Sequence, residues 1–270
     1  MAEANKPRTI KSGTTGKIAL RLVQKGTGLY GLADGKIIVE GVDADDVWSE
    51  LHEKCGRSSS RYFGYSGARR KFLEFFPGGF VSSAYVDHER EYKVEAKRRL
   101  DITAPLEMAL NDDGLAEAIL SVYRATNLLS PFEQTRMQAV LRSDRADAFI
   151  RAAAEFTLEP TRQSLQTMEM VLKHDDNAKW TVVTYLPFLW QPERHMFLKP
   201  MVTVDYAERV GHPFARDYQP RLDLVTYRSL QDLASSTEAE LADLQPKDRI
   251  DVQSFIWVIG GAYDGEPVRA

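Results

Sequence analysis

Hydrophobic and polar residues alternate near the start of the chain, and further on the spacing becomes helical. The runs IALRLV and KIIVEG are rich in β-branched residues and are separated by a turn that contains Asp34 and Gly35. Alternation favours strands, and the Asp-Gly pair favours a tight hairpin because both residues tolerate positive φ. The pattern predicts a small β-rich segment over 17–60 with one helix around Trp48. The polar residues 1–16 predict a disordered tail.

Residues 61–270 are predicted to form a mainly helical body. Apolar residues recur there on successive helical turns, and Ser130 with Glu133 makes the pattern of a capping box before one of these helices. Residues 248–259 are predicted to form a helix whose last five residues, 255–259, are all apolar, which indicates burial on most sides. The β-branched run WTVVTYL breaks the helical pattern and predicts a β-hairpin near 180–198. The expected fold class is therefore α+β, predominantly helical.

Composition and charge exclude several classes of protein. The chain has 270 residues, a net charge of −4 and a single cysteine, Cys55, so no intrachain disulfide or cysteine metal cluster can form. Phosphate-binding and dinucleotide-binding glycine motifs are missing, and no zinc-protease histidine pair occurs. These observations predict no cofactor. The absence of a long apolar segment predicts no membrane partner, and the lack of a signal sequence predicts a cytoplasmic location.

The strongest local signal is a basic, aromatic-rich segment over 57–99. Between Lys54 and Arg99 the sequence has 11 Lys or Arg against five Asp or Glu, with nine aromatic residues among them. Cations neutralise phosphates and exposed rings stack on unpaired bases. We therefore expect a non-enzymatic accessory protein that binds nucleic acid, DNA or RNA. The candidate contacts are Arg57, Arg61, Tyr62, Tyr65, Arg69, Arg70, Lys71, Arg90, Lys93 and Lys97.

A metal-dependent nuclease is the alternative hypothesis. Such enzymes use carboxylates to hold Mg²⁺ and often a lysine to polarise the phosphate. Asp87, Glu91 and Lys93 supply an acid followed by an E-x-K element, and Asp251 with Gln253 forms a D-x-Q element. However, residues two apart on a helix face different directions, which weakens the E-x-K pattern.

A protein-binding helical adaptor is the second alternative. An exposed apolar surface around Trp190 to Phe197 would be its mark. His195 lies in this stretch and has two interpretations. It is either a buried, hydrogen-bonded histidine or part of a polar site with Arg194 and Lys199.

Three segments of the sequence are similar to those of a known family. They are YFGYSGARRKFLEFFPGGF (62–80), PFLWQPERHMFLKPMVT (187–203) and DRIDVQSFIWVIGG (248–261). Together they resemble an uncharacterised family of bacterial cytoplasmic proteins, with the similarity spread over nearly the whole chain. The resemblance implies a single bacterial protein unit and carries no established activity or catalytic residue.

Overall fold

In a computed structural model, which describes residues 7–15, 18–56, 62–261 and 263, the chain begins with an antiparallel sheet. Each strand of the sheet pairs with the next one along the chain. Asp34 and Gly35 connect the last two strands with φ angles of 46° and 82°, as the Asp-Gly pair predicted. The strands are β1 Arg8–Thr15, β2 Ile18–Lys25, β3 Gly28–Ala33 and β4 Lys36–Gly41.

Regular structure begins earlier than the sequence predicted. Strand β1 covers Arg8–Thr15, so the expectation of a disordered tail over 1–16 was wrong for these residues. Residues 1–6 lie outside the described residues. As the edge strand of the sheet, β1 has almost only exposed side chains. Its sequence therefore lacks the alternation by which a half-buried strand is recognised.

Helix α1, Ala44–Gly56, closes one face of the sheet and completes a small core. The approach is close at Gly31, where an added Cβ would lie 3.1 Å from the side chain of Leu51. Apolar side chains from both layers fill the space between them. They are Leu20, Leu22, Leu29 and Val39 from the sheet and Val47, Trp48, Leu51 and Cys55 from the helix.

The remaining described residues form the helical body that the sequence predicted. Ser130 and Glu133 make the expected capping box, because each side chain accepts from the backbone N–H of the other. The helices are α2 Gly64–Phe75, α3 Ser83–Tyr85, α4 Glu91–Thr103, α5 Leu106–Asn111, α6 Ala116–Tyr123, α7 Pro131–Leu141, α8 Ala146–Leu158, α9 Arg162–Lys173, α10 Trp180–Trp190, α11 Pro200–Val210, α12 Phe214–Asp217, α13 Leu224–Glu240 and α14 Arg249–Ile259.

The predicted β-hairpin near 180–198 is wrong. Residues Trp180–Trp190 form α10, and His195 to Leu198 form no strand. Every side chain of α10 is buried. A helix surrounded by protein has no polar face, so its sequence shows no helical period and its β-branched residues favour the wrong assignment.

Helix α14 lies at the centre of the body, and of its side chains only Trp257 is more than slightly exposed. It packs against α2, α11 and α13. Its first turn is capped by Asp248, whose Oδ1 accepts from the N–H of Ile250 at 2.9 Å. Among the described residues, no helix combines the length and the apolarity needed to cross a membrane.

Candidate functional site

The aromatic residues of the 57–99 segment lie mainly in the core. Phe72 is fully buried, and its ring contacts those of Phe80 and Phe255 at centroid distances of 5.0 and 5.1 Å. Phe76 and Tyr85 belong to the same buried cluster. These rings stabilise the body by packing, so they offer no face to unpaired bases.

Several of the predicted cationic contacts are paired with acids. Some of these acids come from distant parts of the sequence, so the local count of charges overstated the positive surface. The pairs are Arg69 with Asp243, Arg90 with Asp248 and Asp251, Lys93 with Glu89, and Lys97 with Asp101.

The other predicted contacts have mixed positions. Arg70 is exposed, and Lys71 is partly buried, which lowers its pKa together with the nearby charge of Arg209. Tyr62 and Tyr65 are also partly buried. The remaining two, Arg57 and Arg61, lie outside the residues that the structure describes.

The four residues of the nuclease hypothesis are not brought together. Asp87 and Glu91 are exposed, whereas Lys93 and Asp251 are buried. No cluster of three or more potential metal ligands occurs among the described residues. The structure therefore offers no arrangement of these carboxylates that would hold Mg²⁺.

Asp251 belongs to an internal network that joins α14 to the segment before α4. Its Oδ1 accepts from the hydroxyl of Tyr85 at 2.5 Å and from Arg90 at 2.7 Å, and its Oδ2 accepts from the N–H of Lys247 at 2.8 Å. Burial alone would lower the pKa of Arg90, but the hydrogen bonds and charges of Asp248 and Asp251 raise it. Asp251 and Arg90 thus hold the structure together, which differs from the roles that the sequence suggested.

A polar pocket is lined in part by residues of α4 and α14. One wall is a π-helical turn, Val86–Arg90, in which the N–H of Glu91 bonds to the carbonyl of Val86. Such turns are rare and often occur at functional sites because the widened backbone redirects side chains. The cavity measures ≈ 80 Å³ and is lined by His88, Glu89, Tyr92, Lys93, Asn127, Leu128, Phe197, Lys199, Gln253 and Trp257.

Lys93 is the most unusual member of the pocket. Its side chain is 1% exposed, and its Nζ donates to Ser254 Oγ at 2.8 Å and to Glu89 Oε2 at 3.3 Å. Burial lowers the pKa of Lys93 to about 8, against the opposing effect of the Glu89 charge. The amino group of Lys93 is therefore protonated at neutral pH, and the negative charge of Glu89 offsets only part of the cost of burying its positive charge.

Lys199 and Gln253 also contribute to the polar lining. Lys199 Nζ donates to the carbonyl of Leu128 at 2.9 Å, and Lys199 directly precedes α11, whose N-terminal end adds a positive partial charge. Gln253 is 4% exposed, and its Oε1 has no hydrogen-bond partner among the described residues. A buried acceptor of this kind is costly unless a bound molecule or water supplies a donor.

The sequence identified only part of this pocket. It placed Lys93 on a nucleic-acid surface and Gln253 in a metal-binding element, and it associated Lys199 with His195. The spacing of Glu89 and Lys93 by four residues predicts an ion pair on one side of a helix, but it does not predict that the pair is buried. Nothing in the sequence showed that α14 would bring Gln253 to them.

Comparison with known proteins adds no further constraint on this site. No family model, curated protein or solved structure matches the chain. The resemblance of residues 62–80, 187–203 and 248–261 to an uncharacterised family therefore stays a prediction.

Proposed function

We propose that this chain is a non-enzymatic binding protein whose pocket holds the phosphate of a nucleotide or of a nucleic-acid strand. The observation that carries the proposal is the buried ammonium group of Lys93 beside Lys199 and the unpartnered Gln253. The proposal retains the nucleic-acid hypothesis but places the phosphate in a partly enclosed pocket and not on an open surface.

The charges of the pocket favour an anion. Lys93 and Lys199 contribute two positive charges, and Glu89 contributes one negative charge. A lysine ammonium group has three N–H donors, and Lys93 uses two of them on Glu89 and Ser254. In a buried site these donors compete little with water, so a phosphate oxygen is bound more strongly there than at the surface.

The ligand also needs a hydrogen-bond donor, because Gln253 Oε1 is an acceptor without a partner. A nucleotide supplies one through a sugar hydroxyl or a base N–H close to its phosphate. The cavity of ≈ 80 Å³ is small, so it fits the phosphate with the nearest part of the sugar. Trp257 and Tyr92 form apolar walls against which the remainder can pack.

Arg70 and Lys71 are the part of the predicted surface that could assist a longer strand. Arg70 is exposed, and Lys71 is partly exposed beside it on α2. The nuclease alternative gains no support, because Asp87 and Glu91 are exposed whereas Lys93 is buried. The adaptor alternative also lacks its expected mark, because Trp190 and Phe197 are 5% and 1% exposed.

Buried Cys55 is a free thiol, which fits the proposed cytoplasmic location.

Isothermal titration calorimetry can test the proposal with three ligands, namely inorganic phosphate, a nucleoside monophosphate and a short oligonucleotide. We expect Lys199→Ala to weaken the binding of phosphate and Gln253→Leu to weaken the binding of the nucleoside monophosphate, each at least about tenfold, since each removes a polar contact of the pocket. Lys173→Ala removes an exposed lysine on α9 and serves as the matched control. Affinity should also fall as the pH rises through about 8, because Lys93 then loses its proton.

The three ligands distinguish the possible sources of the phosphate. Tight binding of the monophosphate alone assigns the pocket to free nucleotides, and tighter binding of the oligonucleotide assigns it to a strand. The proposal is wrong if none of the three binds, or if both pocket variants bind like the unaltered protein.

A further inference from the structure

The outer face of the N-terminal sheet is not covered by α1. Because side chains alternate along a strand, the inward position of Leu20 and Leu22 places Arg21, Val23 and Lys25 on the opposite face. Residue pairing then adds their neighbours on β3, with Val23 opposite Tyr30 and Arg21 opposite Leu32. The face thus combines apolar, aromatic and cationic side chains.

Tyr30 lies flat along this face. A Cβ added to Gly28 would lie 2.9 Å from the Tyr30 hydroxyl oxygen and 3.1 Å from two ring carbons. The ring can occupy this position only because Gly28 has no side chain beneath it. A ring held parallel to a sheet presents its π face outward, which is the orientation that stacking on a base requires.

The charge of the sheet complements a polyanion. Residues 7–41 contain six Lys or Arg and two Asp or Glu, and one of these cations, Lys11, is paired with Asp45 of α1. Arg21 and Lys25 are both exposed and flank Val23 on β2, while Glu40 lies opposite Tyr30 on β4. Since adjacent cations track a phosphate backbone while a ring stacks on a base, the surface fits a strand whose bases are unpaired.

We infer that the outer face of the sheet binds single-stranded nucleic acid, with Tyr30 stacking on a base and Arg21 and Lys25 contacting phosphates. The inference rests on the proposed function only in taking a nucleic-acid strand as ligand. It uses residues that are separate from the Lys93 pocket.

Fluorescence anisotropy with a labelled oligothymidylate tests this inference, and a duplex of the same length provides the comparison. Tyr30→Ala should weaken binding about 5- to 150-fold, which corresponds to the loss of one base–aromatic stack. Gly28→Ala should also weaken it, because the new methyl group displaces the ring. Phe132→Ala is the matched control, since it removes an aromatic side chain that is 79% exposed on α7.

The salt dependence of the affinity tests the contribution of Arg21 and Lys25. Replacing both Arg21 and Lys25 with alanine should reduce the dependence of log affinity on log salt concentration by about 1.4, as expected for two lost contacts to a single strand. Arg228→Ala, an exposed arginine on α13, should leave that dependence unchanged. Circular dichroism spectra of all variants verify that the sheet remains folded.

The outcomes separate this inference from the proposed function. Weaker strand binding in Tyr30→Ala, with Lys199→Ala unaffected, supports the sheet as the binding surface even if the pocket binds no phosphate. Strand binding that survives Tyr30→Ala but is lost in Lys199→Ala overturns the inference and leaves the pocket proposal in place. Absence of strand binding by the unaltered protein, or preference for the duplex, also overturns it.

Discussion

Replacing Asp251 with asparagine removes one negative charge from the centre of the body. Asp251 is fully buried, and its two oxygens accept from Tyr85, Arg90 and Lys247. Asparagine keeps one acceptor oxygen, but its NH₂ group takes the place of the oxygen that faces the Lys247 N–H. Two donors then face each other, and Arg90 keeps only Asp248 as a charged partner.

The expected loss of unfolding free energy follows from these contacts. Breaking a buried ion pair by removing one partner costs about 3–5 kcal/mol. Because Arg90 retains Asp248 at 2.6 Å, the lower end of this range applies, and we expect a loss of about 3 kcal/mol. For a protein of this size, that loss lowers the melting temperature by roughly 6–12 °C.

Urea denaturation followed by circular dichroism measures this loss directly. The matched control is Asp113→Asn, because Asp113 pairs with Arg151 at 2.7 Å but is 70% exposed. That exposed pair should contribute less than about 1 kcal/mol. Our reasoning is refuted if the two variants lose similar amounts of stability. A stable Asp251→Asn protein that loses Mg²⁺-dependent cleavage would instead support the nuclease alternative.

Two further predictions concern acid stability and backbone conformation. Burial lowers the pKa of His195 to about 4, below its ordinary value of 6.5. The unfolded chain therefore binds an extra proton between these values, so stability should fall as the pH drops from about 6.5 to 4, by about 3 kcal/mol. Urea midpoints should show a smaller slope in His195→Gln over this range, and an equal slope would contradict the assignment. Gly211→Ala should lower the melting temperature more than Gly114→Ala. Both glycines have positive φ, so both substitutions strain the backbone. Only at Gly211 would the new Cβ also meet another side chain, that of Tyr62, at 3.0 Å. Equal losses in the two alanine variants would mean that this contact is relieved without cost.

The sequence correctly predicted those elements whose geometry depends only on a few neighbouring residues. The Asp34-Gly35 hairpin and the Ser130–Glu133 capping box are of this kind, because turn and cap geometry depend on neighbouring backbone groups. Strand β1 and helix α10 escaped prediction for opposite reasons. The first is exposed almost throughout, and the second is buried throughout, so neither shows the contrast between two faces that periodicity detects.

The candidate site was only partly predictable, because its residues meet through tertiary packing. Lys93 and Arg90 carry charges whose partners Ser254 and Asp251 are 161 residues away in the sequence. A count of local charges cannot include Asp251, the distant partner of Arg90. It does include Glu89, the charged partner of Lys93, but it does not show that this pair is buried, so both cations were assigned to the surface. His195 is a different case. Its burial agrees with one of the two interpretations, and its hydrogen bonds to Tyr227 and Thr157 account for it.

The late position of α14 in the sequence affects how the protein is made. During synthesis, residues 62 to 248 emerge before the helix that fills the centre of the body. At about 5–20 residues per second, this interval lasts roughly 10–40 s. Until α14 is present, the side chains that contact it lack their partner, and Lys93 lacks Ser254. The helical body therefore completes its packing only after residues 249–259 have emerged.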